Sequence, residues 1–157
     1  VSPEYSGELR RKIGEVVARY PRKGAALLPV LHLVQNEIGF ISEEEEKFVA
    51  GILDLKPIRV REVVTFYTML SRWPLGKYHI QVCSNLSCTL LGGERLVDYL
   101  QKKLGIGVGE TSADKKFTLS TVECLGACEE APCMMVNFDY YGQLNEDKVD
   151  RILESLT

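Results

Sequence analysis

Two pairs of cysteines carry the chemistry open to this sequence: Cys83 and Cys88 in C-S-N-L-S-C, and Cys124 and Cys128 in C-L-G-A-C. Thiolates grouped in this way hold soft metals, namely zinc, copper(I) or iron–sulfur clusters. Ser84, Asn85 and Ser87 in the first loop and Gly126 in the second are small residues. They let backbone N–H groups turn toward sulfur and offset the charge of several thiolates. All five cysteines lie between positions 83 and 133. An odd number confined to one third of a chain is a poor disulfide framework, and in a reducing compartment it reads as a metal site. Catalytic thiol exchange would favour C-x-x-C, which the chain lacks. A plant-type [2Fe–2S] run would need a third cysteine after C-x4-C, and the bacterial [4Fe–4S] run is missing as well. Only His32 and His79 could serve a Rieske centre, and neither stands beside a cysteine loop. Structural zinc tolerates both spacings. Spacing leaves iron and zinc open.

Four sulfurs from loops some forty residues apart can meet only if the strands feeding those loops end side by side. Tyr78, Ile80 and Val82 alternate with His79 and Gln81, the period of a half-buried strand that ends at Cys83. Residues 117–123 are a second strand candidate running into Cys124. Between them Leu96, Val97, Leu100 and Leu104 predict a helix stopped by Gly105, followed by a Gly-rich polar connection over 105–116. Cys88 stands close to the start of that helix, whose positive dipole end favours the same anion. Residues 133–138 favour a short strand, with a turn over 139–142 completing a hairpin. Asn145 caps a last helix bearing Val149, Ile152, Leu153 and Leu156. His79 reads as a surface or second-face histidine, and Tyr140 and Tyr141 as hairpin packing. Gly105, Gly107 and Gly109 do not match a nucleotide-loop spacing.

The front half is helical in pattern. Leu9, Ile13, Val16, Val17 and Tyr20 form one apolar stripe, broken by Pro21 and Gly24. Leu27, Leu28, Leu31, Val34 and Ile38 form a second, closed by Gly39. Ser42 with Glu45 is a capping box for a third helix, whose acidic start over 43–46 reads as a solvated face. A fourth helix is expected over 60–70, with Val63, Val64, Phe66, Tyr67 and Leu70 as core or interface. Trp73-Pro74-Leu75-Gly76 then punctuates the chain. These patterns predict an α+β chain with boundaries at 1–75 and 76–157.

Composition excludes several classes of function. The 157 residues predict one domain or two small ones. With 45% hydrophobic and 26% charged residues a packed core is expected rather than disorder. A net charge of −3 provides no basic excess for nucleic acid. Apolar runs are interrupted well short of the roughly 20 residues of a membrane span, so direct membrane insertion is not expected. No charged-then-apolar leader opens the chain, so secretion is not expected, although Val rather than Met stands first. No nucleophile–base–acid set is visible, which fits a carrier without catalytic residues.

The paired motifs also carry a resemblance. C-S-N-L-S-C at 83–88, L-L-G-G at 90–93 and E-C-L-G-A-C-E-E-A-P at 123–132 resemble the signatures of the thioredoxin-like [2Fe–2S] ferredoxin family. The helical front, especially V-T-F-Y at 64–67, resembles that of the small [2Fe–2S] subunits of NADH:quinone oxidoreductases (respiratory complex I). The resemblance implies a helical N-terminal bundle for docking (1–75) followed by a thioredoxin-like domain (76–157). It implies that Cys83, Cys88, Cys124 and Cys128 ligate one [2Fe–2S] cluster. It further implies a flavoprotein partner, docked largely through the N-terminal helices, that carries FMN and oxidises NADH. The location implied is the inner face of a bacterial membrane through the complex, or the matrix side in a mitochondrion. The same resemblance extends to equivalent subunits of NAD-linked hydrogenases or formate dehydrogenases, and a structural zinc module is the alternative from another class. Cys133 departs from the apolar residue usual after Ala-Pro; it reads as a small core residue and is not assigned as a ligand. Pro132 resembles the cis-proline of thioredoxin-like domains.

Overall fold

The computed structural model describes residues 5–156. The chain divides into two compact units, Val1–Pro74 and Leu75–Thr157, and each has its own apolar core.

The first unit is helical. Helix α1 (Gly7–Val17) starts where the Ser6 hydroxyl accepts the Leu9 N–H at 3.0 Å, and it buries Leu9 and Ile13. It ends at Val17, three residues before the expected Tyr20, which is exposed. A residue preceding proline is pushed out of the α region, and the chain tightens through Arg19 N–H to the Val16 carbonyl and Tyr20 N–H to that of Val17. One 3₁₀ turn, Lys23–Ala26, leads into α2 (Leu27–Ile38), which buries Leu27, Val30, Leu31 and Val34. Gly39 ends it in the left-handed region, as expected. Helix α3 (Glu43–Leu53) carries the expected capping box of Ser42 and Glu45. Helix α4 (Pro57–Phe66) begins three residues ahead of expectation, because Pro57 suits a first helical position. It stops at Phe66. Val60 and Val64 point into the core and Leu70 joins them from beyond the helix, whereas Phe66 and Tyr67 are exposed.

The acidic start of α3 is not a solvated face throughout. Glu43 and Glu44 are exposed, but Glu45 and Glu46 are buried. Four successive residues at about 100° per residue surround a helix, so part of such a run must face inward. Glu45 accepts hydrogen bonds from the Ser42 N–H at 2.8 Å and the Tyr5 hydroxyl at 3.2 Å. Glu46 accepts from Arg61 at 2.8 Å and faces Arg72 at 3.5 Å. A carboxylate only 1% exposed is tolerated because it is paired.

The second unit is built on one sheet: β1 (Tyr78–Cys83), β2 (Phe117–Val122), β3 (Met134–Val136) and β4 (Asp139–Tyr141). The strand order is β2-β1-β3-β4. Strand β1 runs parallel to β2 with Tyr78 opposite Phe117 and Cys83 opposite Val122. It runs antiparallel to β3 with Val82 opposite Met134. Helices α5 (Leu86–Leu90) and α6 (Gly93–Leu104) connect β1 to β2, and α7 (Glu146–Ser155) follows the hairpin, capped by Asn145. Ile80, Val82, Leu100, Leu119, Met134 and Val149 form the centre of the core.

Three local expectations change. Strand β1 is internal to the sheet, so Gln81 is buried with its apolar neighbours and the strand is not half-buried beyond His79. The hairpin turns at Asn137 and Phe138, not over 139–142. The Asn137 side chain accepts the His79 N–H at 2.9 Å and donates to the Lys77 carbonyl at 3.2 Å, which fastens the turn to β1. The 105–116 connection also folds back on β2: Gly109 N–H donates to the Leu119 carbonyl at 2.7 Å and Ser112 N–H to that of Phe117 at 2.8 Å. A sheet edge is covered in this way. His79 is half-buried, 2.7 Å from the Ser120 hydroxyl, and burial holds its imidazole below the ordinary value. No helix among the described residues is long and apolar enough to cross a membrane.

Replacing Glu46 by Ala leaves Arg61 and Arg72 without their buried partner. The expected cost is about 3 kcal/mol, read as a lower urea midpoint by circular dichroism, while Glu44→Ala at the exposed start of the same helix shifts it by less than about 0.5 kcal/mol.

Candidate metal centre

The parallel pairing of β1 with β2 makes both strands end at one edge, and the cysteine loops begin there. Cys83 is the last residue of β1. The chain turns through Ser84 to Asn85, whose side chain accepts the Leu86 N–H at 2.8 Å and opens α5. Cys88 is the third residue of that five-residue helix and is buried. It lies close to the start of the long helix α6, as expected, but within a separate short helix of its own. On the other strand, Cys124 follows β2 by two residues and Cys128 opens a single 3₁₀ turn, Cys128–Glu130. Both are exposed. Their loop passes beside the first one, with the Cys83 Sγ 3.9 Å from the Glu123 carbonyl oxygen.

A third element reaches the same place. Extending the β1–β3 register by one position sets Cys133 opposite Cys83, and the Cys83 N–H donates to the Cys133 carbonyl at 3.1 Å. The sulfurs of Cys83, Cys88 and Cys133 all lie within 4.8 Å of one another, with Cys88 and Cys133 3.6 Å apart. The structure thus brings Cys83 and Cys88 together, holds Cys124 and Cys128 on the neighbouring loop, and adds Cys133. Pro132 before it has the cis peptide expected.

Burial pushes the Cys83 thiol up. Hydrogen bonds from the backbone N–H groups of Asn85 and Leu125 and from the thiols of Cys88 and Cys133 outweigh this and hold it below the ordinary cysteine value. Burial pushes the Cys88 thiol up on balance, against the backbone N–H of Cys133. Cys133 is pushed up to about 12, by burial first and then by the neighbouring Cys88 and Cys83. In the second loop the Gly126 N–H donates to the Cys124 Sγ at 3.3 Å. Backbone donors thus address sulfur in both loops, the arrangement that stabilises ligating thiolates.

Helix α6 closes the site from one side. A Cβ added at Gly93 would stand 2.8 Å from the Cys88 carbonyl oxygen and 3.3 Å from that of Cys83. Only a residue without a side chain lets the helix start against both cysteine segments.

Gathered thiols, backbone donors aimed at sulfur and a second cysteine pair on the adjoining loop define a protein that holds a metal or cluster through thiolates. They fit the four-cysteine ligation of a [2Fe–2S] cluster. The chain belongs to the thioredoxin-like [2Fe–2S] ferredoxin family, whose model matches residues 13–157. It is 46% identical to an NADH-quinone oxidoreductase subunit of Rhizobium meliloti (strain 1021), over 94% of this chain and 88% of the relative. It is 44% identical to the corresponding NADH-quinone oxidoreductase subunit of Rickettsia prowazekii (strain Madrid E), over 88% of this chain and 80% of that one. A solved NAD+-reducing [NiFe]-hydrogenase, in its H2-reduced state, shares the fold with a TM-score of 0.73 at 20% identity. That match covers 83% of this chain and 22% of the hydrogenase chain. The α+β expectation, helices first and a thioredoxin-like unit second, agrees with the fold, and the family's cofactor agrees with the gathered thiols.

Gly93→Ala should force α6 off the Cys88 carbonyl and destabilise the second unit by about 1–3 kcal/mol. The check is a thermal melt alongside iron content per chain, both of which fall.

Proposed function

We propose that this chain is the electron-transfer subunit of an NADH:quinone oxidoreductase, and that Cys83, Cys88, Cys124 and Cys128 ligate its one [2Fe–2S] cluster. The observation that carries this reading is the convergence of the two cysteine loops at the shared end of β1 and β2. Full-length similarity to relatives named as NADH-quinone oxidoreductase subunits supports the assembly. The NAD+-reducing hydrogenase shares the fold alone, at 20% identity.

When bound, the cluster supplies a site that gains and loses single electrons, exchanged with FMN in a flavoprotein that oxidises NADH. The chain's own groups hold and tune it. Cys83 and Cys88 are fixed by the end of β1 and by α5. The N–H groups of Asn85, Leu125 and Gly126 turn toward sulfur and lower the cost of the negative charge there. Residues 76–157 carry the site and residues 1–75 dock on the flavoprotein. The helical unit exposes Phe66, Met69 and Trp73, with Tyr67 beside them in sequence. Exposed apolar side chains of this size, close together in sequence, suit a protein interface. The complex places the chain on the inner face of a bacterial membrane, or the matrix side of a mitochondrial one, without insertion of its own.

Cys124→Ser should lose or destabilise the cluster, read as loss of visible absorption and of the paramagnetic signal after dithionite. An unchanged signal removes Cys124 from the ligand set, and a colourless wild type that holds zinc overturns the carrier reading. Phe66→Ser together with Trp73→Ser should weaken capture by the flavoprotein partner about tenfold or more, measured by surface binding; undiminished capture overturns docking through this unit.

A further inference from the structure

We propose that Cys133 is a non-ligating thiol that donates an S–H hydrogen bond to the Cys88 sulfur and thereby raises the reduction potential of the cluster. This rests on the carrier reading above. The Cys133 Sγ lies 3.6 Å from that of Cys88, and both residues are buried, at 1% and 2% exposure. The position of Cys133 is held on both sides: its carbonyl accepts the Cys83 N–H at 3.1 Å, and the Pro132 carbonyl accepts the Leu144 N–H at 3.0 Å. A side chain anchored by its own backbone at the head of β3 keeps its sulfur where the sheet places it.

The direction of the hydrogen bond follows from ligation. Between two free thiols either sulfur can donate. Once Cys83 and Cys88 bind iron they are thiolates without protons, so the only proton among the three sulfurs belongs to Cys133, and the Cys88 sulfur at 3.6 Å is the acceptor within hydrogen-bond reach. A donor to a ligating sulfur stabilises negative charge there, and more so after the cluster has gained an electron. The reduced state is favoured and the potential rises. The two motif pairs already supply the four cysteines that a [2Fe–2S] cluster takes, so the fifth thiol is left as a donor. Val or Ala at this position would fill the core beside Cys88 and donate nothing.

The test uses the full chain with its cluster. Cys133→Ala should keep the wild-type iron content and shift the midpoint potential, followed by paramagnetic resonance during a dithionite titration, to more negative values. Cys133→Ser retains an O–H donor and should recover at least half of that shift. In wild type, transfer to D2O should move an iron–thiolate stretching band in the resonance Raman spectrum, and this shift should vanish in Cys133→Ala. That measurement on wild type needs no variant to fold. Loss of iron in both variants would make Cys133 a ligand and overturn the inference. Retained iron with an unchanged potential, or no deuterium shift in wild type, would reduce Cys133 to core packing. In each case wild type keeps its cluster, so the carrier reading stands. A wild type without iron would instead bring down the carrier reading, and this inference with it.

Discussion

The hydrogen-bond ladders on both sides of β1 are the constraint on which the sulfur site depends. Because β1 is parallel to β2, the two strands finish together, with Cys83 opposite Val122. Because β1 is antiparallel to β3, the same end of β1 is also where β3 begins, and Cys133 arrives there from the opposite direction. An edge strand could offer only one of these neighbours; an internal one offers both. Antiparallel pairing alternates closely and widely spaced partners, so a slip of one residue between β1 and β3 would turn Cys133 to the other face of the sheet. The buried set Ile80, Val82, Met134 and Val136 prevents that slip. The core therefore places the sulfurs and does more than support them.

Burial and charge pull against each other at that edge. An apolar setting disfavours thiolates, and among Cys83, Cys88 and Cys133 burial is the leading influence on each. Only at Cys83 do hydrogen-bond donors, two backbone N–H groups and the neighbouring thiols together, prevail. Both loops are built to supply such donors, because small or polar residues leave N–H groups free to face sulfur instead of a helix carbonyl. The fold thus distinguishes thiols by the number of donors that reach each one, and chain position alone does not predict it. Cys83 at the strand end receives two backbone N–H groups, while Cys133, one residue outside a ladder, spends its own backbone on β1 and on Cys88.

Much of this was legible in the sequence where the signal was local. Ser42 with Glu45, Gly39, Gly105 and Asn145 marked helix ends correctly because a cap is a property of a few adjacent residues. The alternation at 78–83 located β1, and the cysteine pairs located the loops. What escaped was set by partners distant in sequence. The hairpin turn sits at Asn137 because that side chain bonds to Lys77 and His79, sixty residues away in the first case. Glu46 is buried because Arg61 and Arg72 come from beyond its own helix. Cys133 read as an ordinary core residue, since only the β1–β3 register reveals that it faces Cys83. The combination of a cysteine opening a β-favouring run and another at the end of an earlier strand was the one available hint.

The geometry of α5 links the buried sulfur to the outer surface. At about 100° per residue, positions 86 and 90 share one face of a helix while position 88 lies roughly 160–200° around from them. A short helix that turns Cys88 inward must therefore turn Leu86 and Leu90 outward, and both are largely exposed, as is Leu91 beyond the helix end. Serine or lysine at 86 and 90 would satisfy the same helix in water. The exposed leucines lie two and three positions from the buried Cys88, on the same short stretch of chain. Hiding the sulfur and presenting an apolar rim are consequences of one helical twist.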